Sequence, residues 1–195
     1  MDALNGGCRM KFWTCLLAGF ALGTVAIAEE DIWSKTINND SNGTWNVQPD
    51  KPKPKYFEVK DIPGEHAFRI KATKGVNPWD VQASSAIQGA INEGDVIMLM
   101  YYARAAEPAE GGSSLTARIQ LSGAPYTAAM DMTSQITEQW KSYCAHRVAT
   151  TTLPEKKSNV SIHLATAKQV IELGPVFVFN FGKGYDRNKL KGCDG

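Results

Sequence analysis

"SLTARIQLS" (residues 114–122) decides the fold. Leu115, Ala117, Ile119 and Leu121 alternate with Thr116, Arg118, Gln120 and Ser122. A period of two sends successive side chains to opposite faces, so this is a strand with one apolar and one polar face. The same period recurs on both sides of it. "YFEVKDI" (56–62) alternates and ends at Pro63-Gly64, and "HAFRIKAT" (66–73) alternates and ends at Lys74-Gly75. "NPWDVQA" (77–83) opens a further strand, "WDVQASSAI", and "NVSIHLAT" (159–166) sets Val160, Ile162 and Leu164 against Ser161 and His163. Turn signals separate these runs, and helix signals are scarce.

Three other stretches extend the pattern. "GDVIMLMYYARA" (94–105) is apolar on both faces, as expected of a central strand whose second face is covered or functional. "QVIELGPVFVFNFG" (169–182) closes the core, and "WKSYCAHRVAT" (140–150) is rich in strand-forming residues. "AAMDMTSQITEQW" (128–140) reads as an edge strand or irregular structure rather than a helix, given Thr133, Ser134 and Thr137. Many short strands at this spacing give an all-β sandwich or barrel.

The first residues stand apart. Arg9 and Lys11 precede an apolar run from Leu16 to Ile27, followed by Ala26-Ile27-Ala28. That is a signal peptide over 1–28 with cleavage after Ala28, and Met10 serves as a start as well as Met1. The alternative is a buried N-terminal helix; the run is too short to span a membrane. Residues 29–55 are polar and carry edge strands around Trp33 and Trp45 within the same domain. Residues 56–182 form the sandwich and 183–195 a polar tail. Export places the protein in the periplasm or outside the cell, with no membrane anchor after cleavage.

Without the signal, basic and acidic side chains are equal in number. A neutral chain carries no footprint for nucleic acid or an anionic membrane. "KPKPK" (51–55) reads as a stiff solvated loop rather than a polyanion site. Cys144 and Cys193 survive cleavage. Either they join, tying down the tail, or they remain two thiols. His66, His146 and His163 lack metal-ligand spacing. Sequons occur at Asn39, Asn42 and Asn159.

Alternation also nominates a site. Gln82, Tyr102, Arg104, Arg118, Gln120 and His163 occupy the polar positions of their strands, and all are planar side chains with fixed hydrogen-bonding edges or rings. Trp79 lies beside Gln82, and Tyr126 sits in the loop "SGAPYTAA". Aromatic platforms beside forked amides and guanidiniums suit a sugar ring, which has an apolar C–H face and a rim of hydroxyls. The alternative is a solvated outer face with Trp79 and Tyr102 in the core. No catalytic motif is present, and Asp80, Asp95, Asp131 and Glu138 form no recognisable glycosidase pair.

Taken in order, "PWDVQA", "GDVIMLMYYARA", "ARIQLSGAPYTAA", "TEQWKSY" and "IELGPVFVFNFG" resemble the jelly-roll carbohydrate-binding modules found beside bacterial endoxylanases, the group around families four, nine and twenty-two. The resemblance runs from Tyr56 to Gly182. It implies a two-sheet antiparallel β-sandwich, galactose-binding-domain-like, that binds xylan or β-glucan in a cleft without catalysis and often carries a structural calcium ion. It places Trp79, Gln82, Arg104, Gln120 and Tyr126 at family motif positions and gives Trp140 a packing role. The competing functions are a secreted protein-interaction domain on the same sandwich and, less favoured, a small glycan hydrolase.

Overall fold

The computed structural model describes residues 31–38, 45–50 and 53–193. The signal segment, both candidate start methionines and the sequons at Asn39 and Asn42 lie outside the described residues. Ten strands follow in chain order: β1 (Asn46–Gln48), β2 (Lys55–Glu58), β3 (His66–Ala72), β4 (Gln82–Ile87), β5 (Asp95–Glu107), β6 (Ser113–Leu121), β7 (Ala128–Ile136), β8 (Lys141–Val148), β9 (Ser158–His163) and β10 (Gln169–Lys183). They form two five-stranded sheets, ordered β1-β4-β9-β6-β7 and β2-β3-β10-β5-β8. Every pairing is antiparallel. The only helical segments among the described residues are short 3-10 turns. This is the all-β jelly-roll sandwich.

The alternating apolar residues meet between the sheets. Ala83, Ile87, Leu115, Ala117, Ile119, Val160 and Ile162 of the first sheet pack against Ile70, Ile97, Leu99, Tyr101, Ile171, Leu173 and Val178 of the second, all buried. Residues 128–136 are the edge strand β7. The long strand β10 contains Gly174-Pro175, and its register against β5 shifts between Leu173 and Val176. Proline has no N–H to give a ladder, so it sits where pairing is interrupted. Gly174 is required there by close approach: a Cβ would lie 2.7 Å from Ile62 Cδ1 and 3.1 Å from Tyr102 Cβ.

The second face of β5 and β10 is covered. Met98, Phe177 and Phe179 form a separate apolar cluster, joined by Met100, Tyr102, Phe181 and Cys193. Trp33 packs edge-on against Phe177 and Phe179, at 5.1 and 5.5 Å between ring centroids. Trp33 is not in a strand as expected. Asp31 accepts a hydrogen bond from Trp33 N–H and starts the 3-10 turn Ile32–Lys35. Asn38 then acts as a short surrogate strand: its Nδ2 donates to Val176 O (2.8 Å), and Val178 N–H donates to its Oδ1 (2.6 Å). Near Trp45, the expected edge strand is β1.

Farther along the same face, Glu172 is fully buried between two guanidiniums. Arg69 and Arg104 each donate through Nε, both at 2.5 Å, to opposite carboxylate oxygens. Phe57 and Trp140 cap the pair, each ring centroid 5.3 Å from the guanidinium carbon it covers.

The tail is tied down. Tyr185 packs on Phe181 (4.7 Å), Arg187 Nε donates to His146 Nδ1 (3.0 Å), and Cys193 is bonded to Cys144. Of the two alternatives left by the sequence, the structure has the disulfide. Closing a loop across 49 residues restricts the unfolded chain by about 4 kcal/mol on the chain-entropy estimate. Reduction, or Cys193→Ser, is expected to cost about 2–4 kcal/mol and lower Tm by roughly 5–15 °C. Thermal unfolding with and without reductant checks this; an unchanged Tm would mean that the tail is held by its non-covalent contacts alone.

Candidate functional site

The outer face of the first sheet is laid out in three polar rows. Pairing of β1 with β4, β4 with β9, β9 with β6 and β6 with β7 places Gln48, Gln82, His163, Thr116 and Thr133 side by side. The next row is Asn46, Ser84, Ser161, Arg118 and Asp131. The third is Ala86, Asn159, Gln120 and Ala128. Their neighbours along each strand point to the core, so the rows make up the outer face of the sheet, where Ser161, Gln120 and His163 are nonetheless buried.

Two adjoining cavities lie over this face. One, of about 610 Å³, is lined by Trp79, Gln82, Arg118, Gln120, Tyr126 and His163 together with Pro125 and Thr127. The other, of about 790 Å³, shares Gln82, Gln120 and Tyr126 and continues over Asn46, Gln48, Ser84 and Asn159 to Trp45. The floor is preset by internal hydrogen bonds. Ser161 Oγ donates to Gln82 Oε1 at 2.9 Å, which leaves the Gln82 amide N–H groups as donors. Arg118 Nε donates to Asp131 Oδ1 at 2.6 Å, which holds the guanidinium across the rows. Gln120 is only 5% exposed, and its Oε1 and Asn159 Oδ1 are buried acceptors with no hydrogen-bond partner among the described residues. These two residues face one another across β6 and β9.

The aromatic walls are held by turns. The strand was expected over "WDVQASSAI" (79–87), but Trp79 stands on the 3-10 turn Pro78–Asp80 and β4 begins only at Gln82. The reason is local. Pro78 occupies the first position of the turn, and Asp80 Oδ2 accepts from Asn77 N–H at 2.9 Å, closing a capping box. That backbone hydrogen bond from Asn77 is the main reason the Asp80 carboxyl stays below its usual range. Gly75 allows the loop to fold over this turn, because a Cβ there would lie 2.7 Å from both Asp80 Cβ and Oδ2. Gly75 N–H donates to Ala165 O, and Ala165 N–H donates to Pro78 O, so the turn is fastened to the end of β9. Trp79 is 52% exposed and meets His163 edge-on at 5.8 Å. Tyr126, also 52% exposed, has a φ of 55° and closes a turn by donating N–H to Gly123 O. His163 is held below the ordinary imidazole value by burial first and by the Arg118 charge second, with Asp131 opposing.

The structure thus brings Trp79, Gln82, Arg118, Gln120, Tyr126 and His163 together. It does not bring Tyr102 and Arg104 to them. Both lie on β5, in the second sheet, where Tyr102 joins the Met98–Phe177–Phe179 cluster and Arg104 binds Glu172. Alternation tells which face of its own strand a residue occupies; it does not tell which sheet the strand joins. Trp140 packs over Arg104, away from the cleft. Reading the sequence missed Asn159, Ser84, Asn46 and Gln48. Asn159 was within reach, since it is two positions before Ser161 in an alternating strand. Asn46 and Gln48 were not, because only the pairing of β1 with β4 places them.

No aspartate or glutamate lines either cavity among the described residues. Nor does any group of three or more His, Cys, Asp and Glu stand together among the described residues in a way that could hold a metal ion.

No protein-family profile matches the sequence, and no curated protein matches it. Solved structures do. A carbohydrate-binding module ("CBM4 structure and function") is similar at 18% identity with a TM-score of 0.53, over 76% of this chain and 96% of that one. Part of an arabinose-bound GH51 α-L-arabinofuranosidase is similar at 12% identity with a TM-score of 0.52, over 75% of this chain and 25% of that one. At these identities the likeness speaks for architecture, and the chain has the jelly-roll sandwich fold found in carbohydrate-binding modules.

Proposed function

We propose that this is an exported, non-catalytic module that binds a neutral polysaccharide such as xylan or β-glucan across the polar rows of the first sheet. The observation that carries this reading is the pair of buried acceptors without partners among the described residues, Gln120 Oε1 where the two cavities meet and Asn159 Oδ1 beside it in the cavity that runs to Trp45. Leaving a buried acceptor unmet costs about 1–3 kcal/mol. Turned outward, either amide would present its oxygen to the hydroxyl donors of a ligand lying on this floor. Gln82 and Arg118 supply the complementary donors for hydroxyl and ring oxygens. Trp79 and Tyr126 supply flat apolar surface for the C–H faces of the sugar rings. Hydrolysis would call for two carboxylates in the cleft, and neither cavity is lined by one among the described residues. The Cys144–Cys193 bond suits an oxidising compartment outside the cytosol.

Binding to soluble xylan and β-glucan, followed together with melting, tests the proposal. Trp79→Ala is expected to weaken binding more than about tenfold while costing about 1 kcal/mol of stability, since the ring is half exposed. A large loss of stability with unchanged binding would make Trp79 a core residue and reject the platform. Gln120→Met is more telling. It removes an unpartnered buried amide from the folded state, so stability is expected to hold or rise by about 1 kcal/mol while binding weakens. If the variant binds as wild type does, the acceptors are not part of a glycan site.

The pH dependence follows from His163. Its lowered folded value means that the unfolded chain takes up the proton first. The contribution of neutral His163 to stability is therefore complete above about pH 6.5 and is lost as pH falls through the lower folded value. Protonation also sets a second cation beside Arg118 and removes an acceptor from the cleft. Glycan affinity is expected to decline as pH falls through the lowered folded value, and His163→Gln, which cannot titrate, is expected to flatten the decline. Affinity measured from about pH 7 down to about pH 5 checks both.

A further inference from the structure

The "KPKPK" stretch reads by itself as a solvated loop, but the fold gives Lys53 and Lys55 of it cationic neighbours. β2 pairs with β3 so that Lys55 lies directly opposite Arg69. Lys71 follows two residues after Arg69, on the same outer face of the second sheet. Lys53, Lys55, Arg69 and Lys71 together line a cavity of about 270 Å³, and Glu107, from the end of β5, completes it. Like charges set opposite one another on neighbouring strands are unfavourable. None of the ion pairs among the described residues engages Lys53, Lys55 or Lys71. Arg69 is held in place by Glu172 behind it and Phe57 across it, so its remaining N–H groups are oriented in advance.

We infer that this cavity is a second binding site, separate from the cleft, for a sugar acid carried on an anionic polysaccharide. Four cations around a small cavity match one carboxylate better than an extended phosphate backbone, and a chain whose net charge is only +1 lacks the broad positive field that nucleic acid or an anionic membrane selects. Glu107 narrows the ligand further. A carboxylate on the wall opposes a simple anion, but it accepts hydrogen bonds from hydroxyls. A uronic acid presents both groups on one ring: a carboxylate for Lys55, Arg69 and Lys71, and hydroxyls for Glu107. The site is on the opposite sheet from the cleft, so one molecule can hold a neutral chain on one side and an acidic one on the other.

Polygalacturonate is the probe, tested on the full chain by affinity electrophoresis at low and at physiological salt. Wild type is expected to bind it, with retention falling as salt rises. The double variant Lys55→Ala, Lys71→Ala is expected to lose about tenfold or more in affinity with Tm unchanged or raised, because it relieves the opposed charges. Glu107→Ala separates a sugar acid from a bare anion: weaker binding supports a hydroxyl contact, whereas tighter binding overturns it. Trp79→Ala is expected to bind polygalacturonate as wild type does. If it loses that binding, the acid sits in the cleft and the second site is rejected, and if wild type does not bind polygalacturonate at low salt the inference fails whatever happens with xylan. Equal retention of duplex DNA or of anionic phospholipid vesicles would overturn the sugar-acid assignment in favour of general attraction to polyanions.

Discussion

The register of β9 is the constraint on which the candidate site depends. β9 lies in the middle of the first sheet and is hydrogen-bonded to β4 on one side and β6 on the other. Val160 and Ile162 project into the core and are fully buried. A slip of one residue would turn both to the outer face and drive Ser161 and His163 into the apolar core in their place, so hydrophobic burial fixes the register far more strongly than the ladder bonds alone. Once that register is fixed, so are the rows across it. Gln82 must face His163, Arg118 must face Ser161, and Gln120 must face Asn159. The polar face inherits its order from the apolar one.

Much of this was legible in the sequence, and what was not has a physical reason. The strand pattern around "SLTARIQLS" and "NVSIHLAT" gave the face of Arg118, Gln120 and His163, because a period of two leaves no other choice for a strand with one buried side. The apolar run of β5 announced a second face either covered or functional, and Trp33 and Cys193 help to cover it. The assignment of Tyr102 and Arg104 failed because partner choice between strands is non-local. Nothing in "YYARA" says that β5 pairs with β10 and β8 rather than with β6. Trp79 was recognised but placed on a strand, because Val81, Ala83 and the β-favouring ring outweighed the turn chemistry of Asn77, Pro78 and Asp80. Asn46 and Gln48 enter the site through a three-residue strand too short to show any period.

The turn that carries Trp79 illustrates how the walls of the cleft are held by the chain itself. Gly75 lets the chain close over Asp80, Asp80 caps the turn through Asn77, and Ala165 fastens the turn to the end of the central strand. The indole is therefore carried on backbone that has already given up its conformational freedom. The same holds for the floor, where Ser161 orients Gln82 and Asp131 orients Arg118. Groups fixed in this way would have little entropy left to lose to a bound molecule. The two acceptors left over, on Gln120 and Asn159, are the part of the floor that the protein does not satisfy by itself.

Arg104 and Arg118 show how one residue type serves different ends on the two sheets. Both sit at polar positions of alternating strands, and each donates through Nε to a carboxylate. Arg104 donates to Glu172, whose side chain is fully buried, and its guanidinium is capped by Trp140. A buried carboxylate without its cations would be strongly unfavourable, so Arg104 is committed to Glu172 and is not free to serve a ligand. Arg118 donates to Asp131, whose side chain is 55% exposed and already hydrated. That pairing is weak and screened by solvent, and it sets direction more than it adds stability. The guanidinium above Asp131 keeps its outward N–H groups for whatever enters the cleft. The burial of the partner carboxylate, more than the arginine itself, separates the structural role from the one available for recognition.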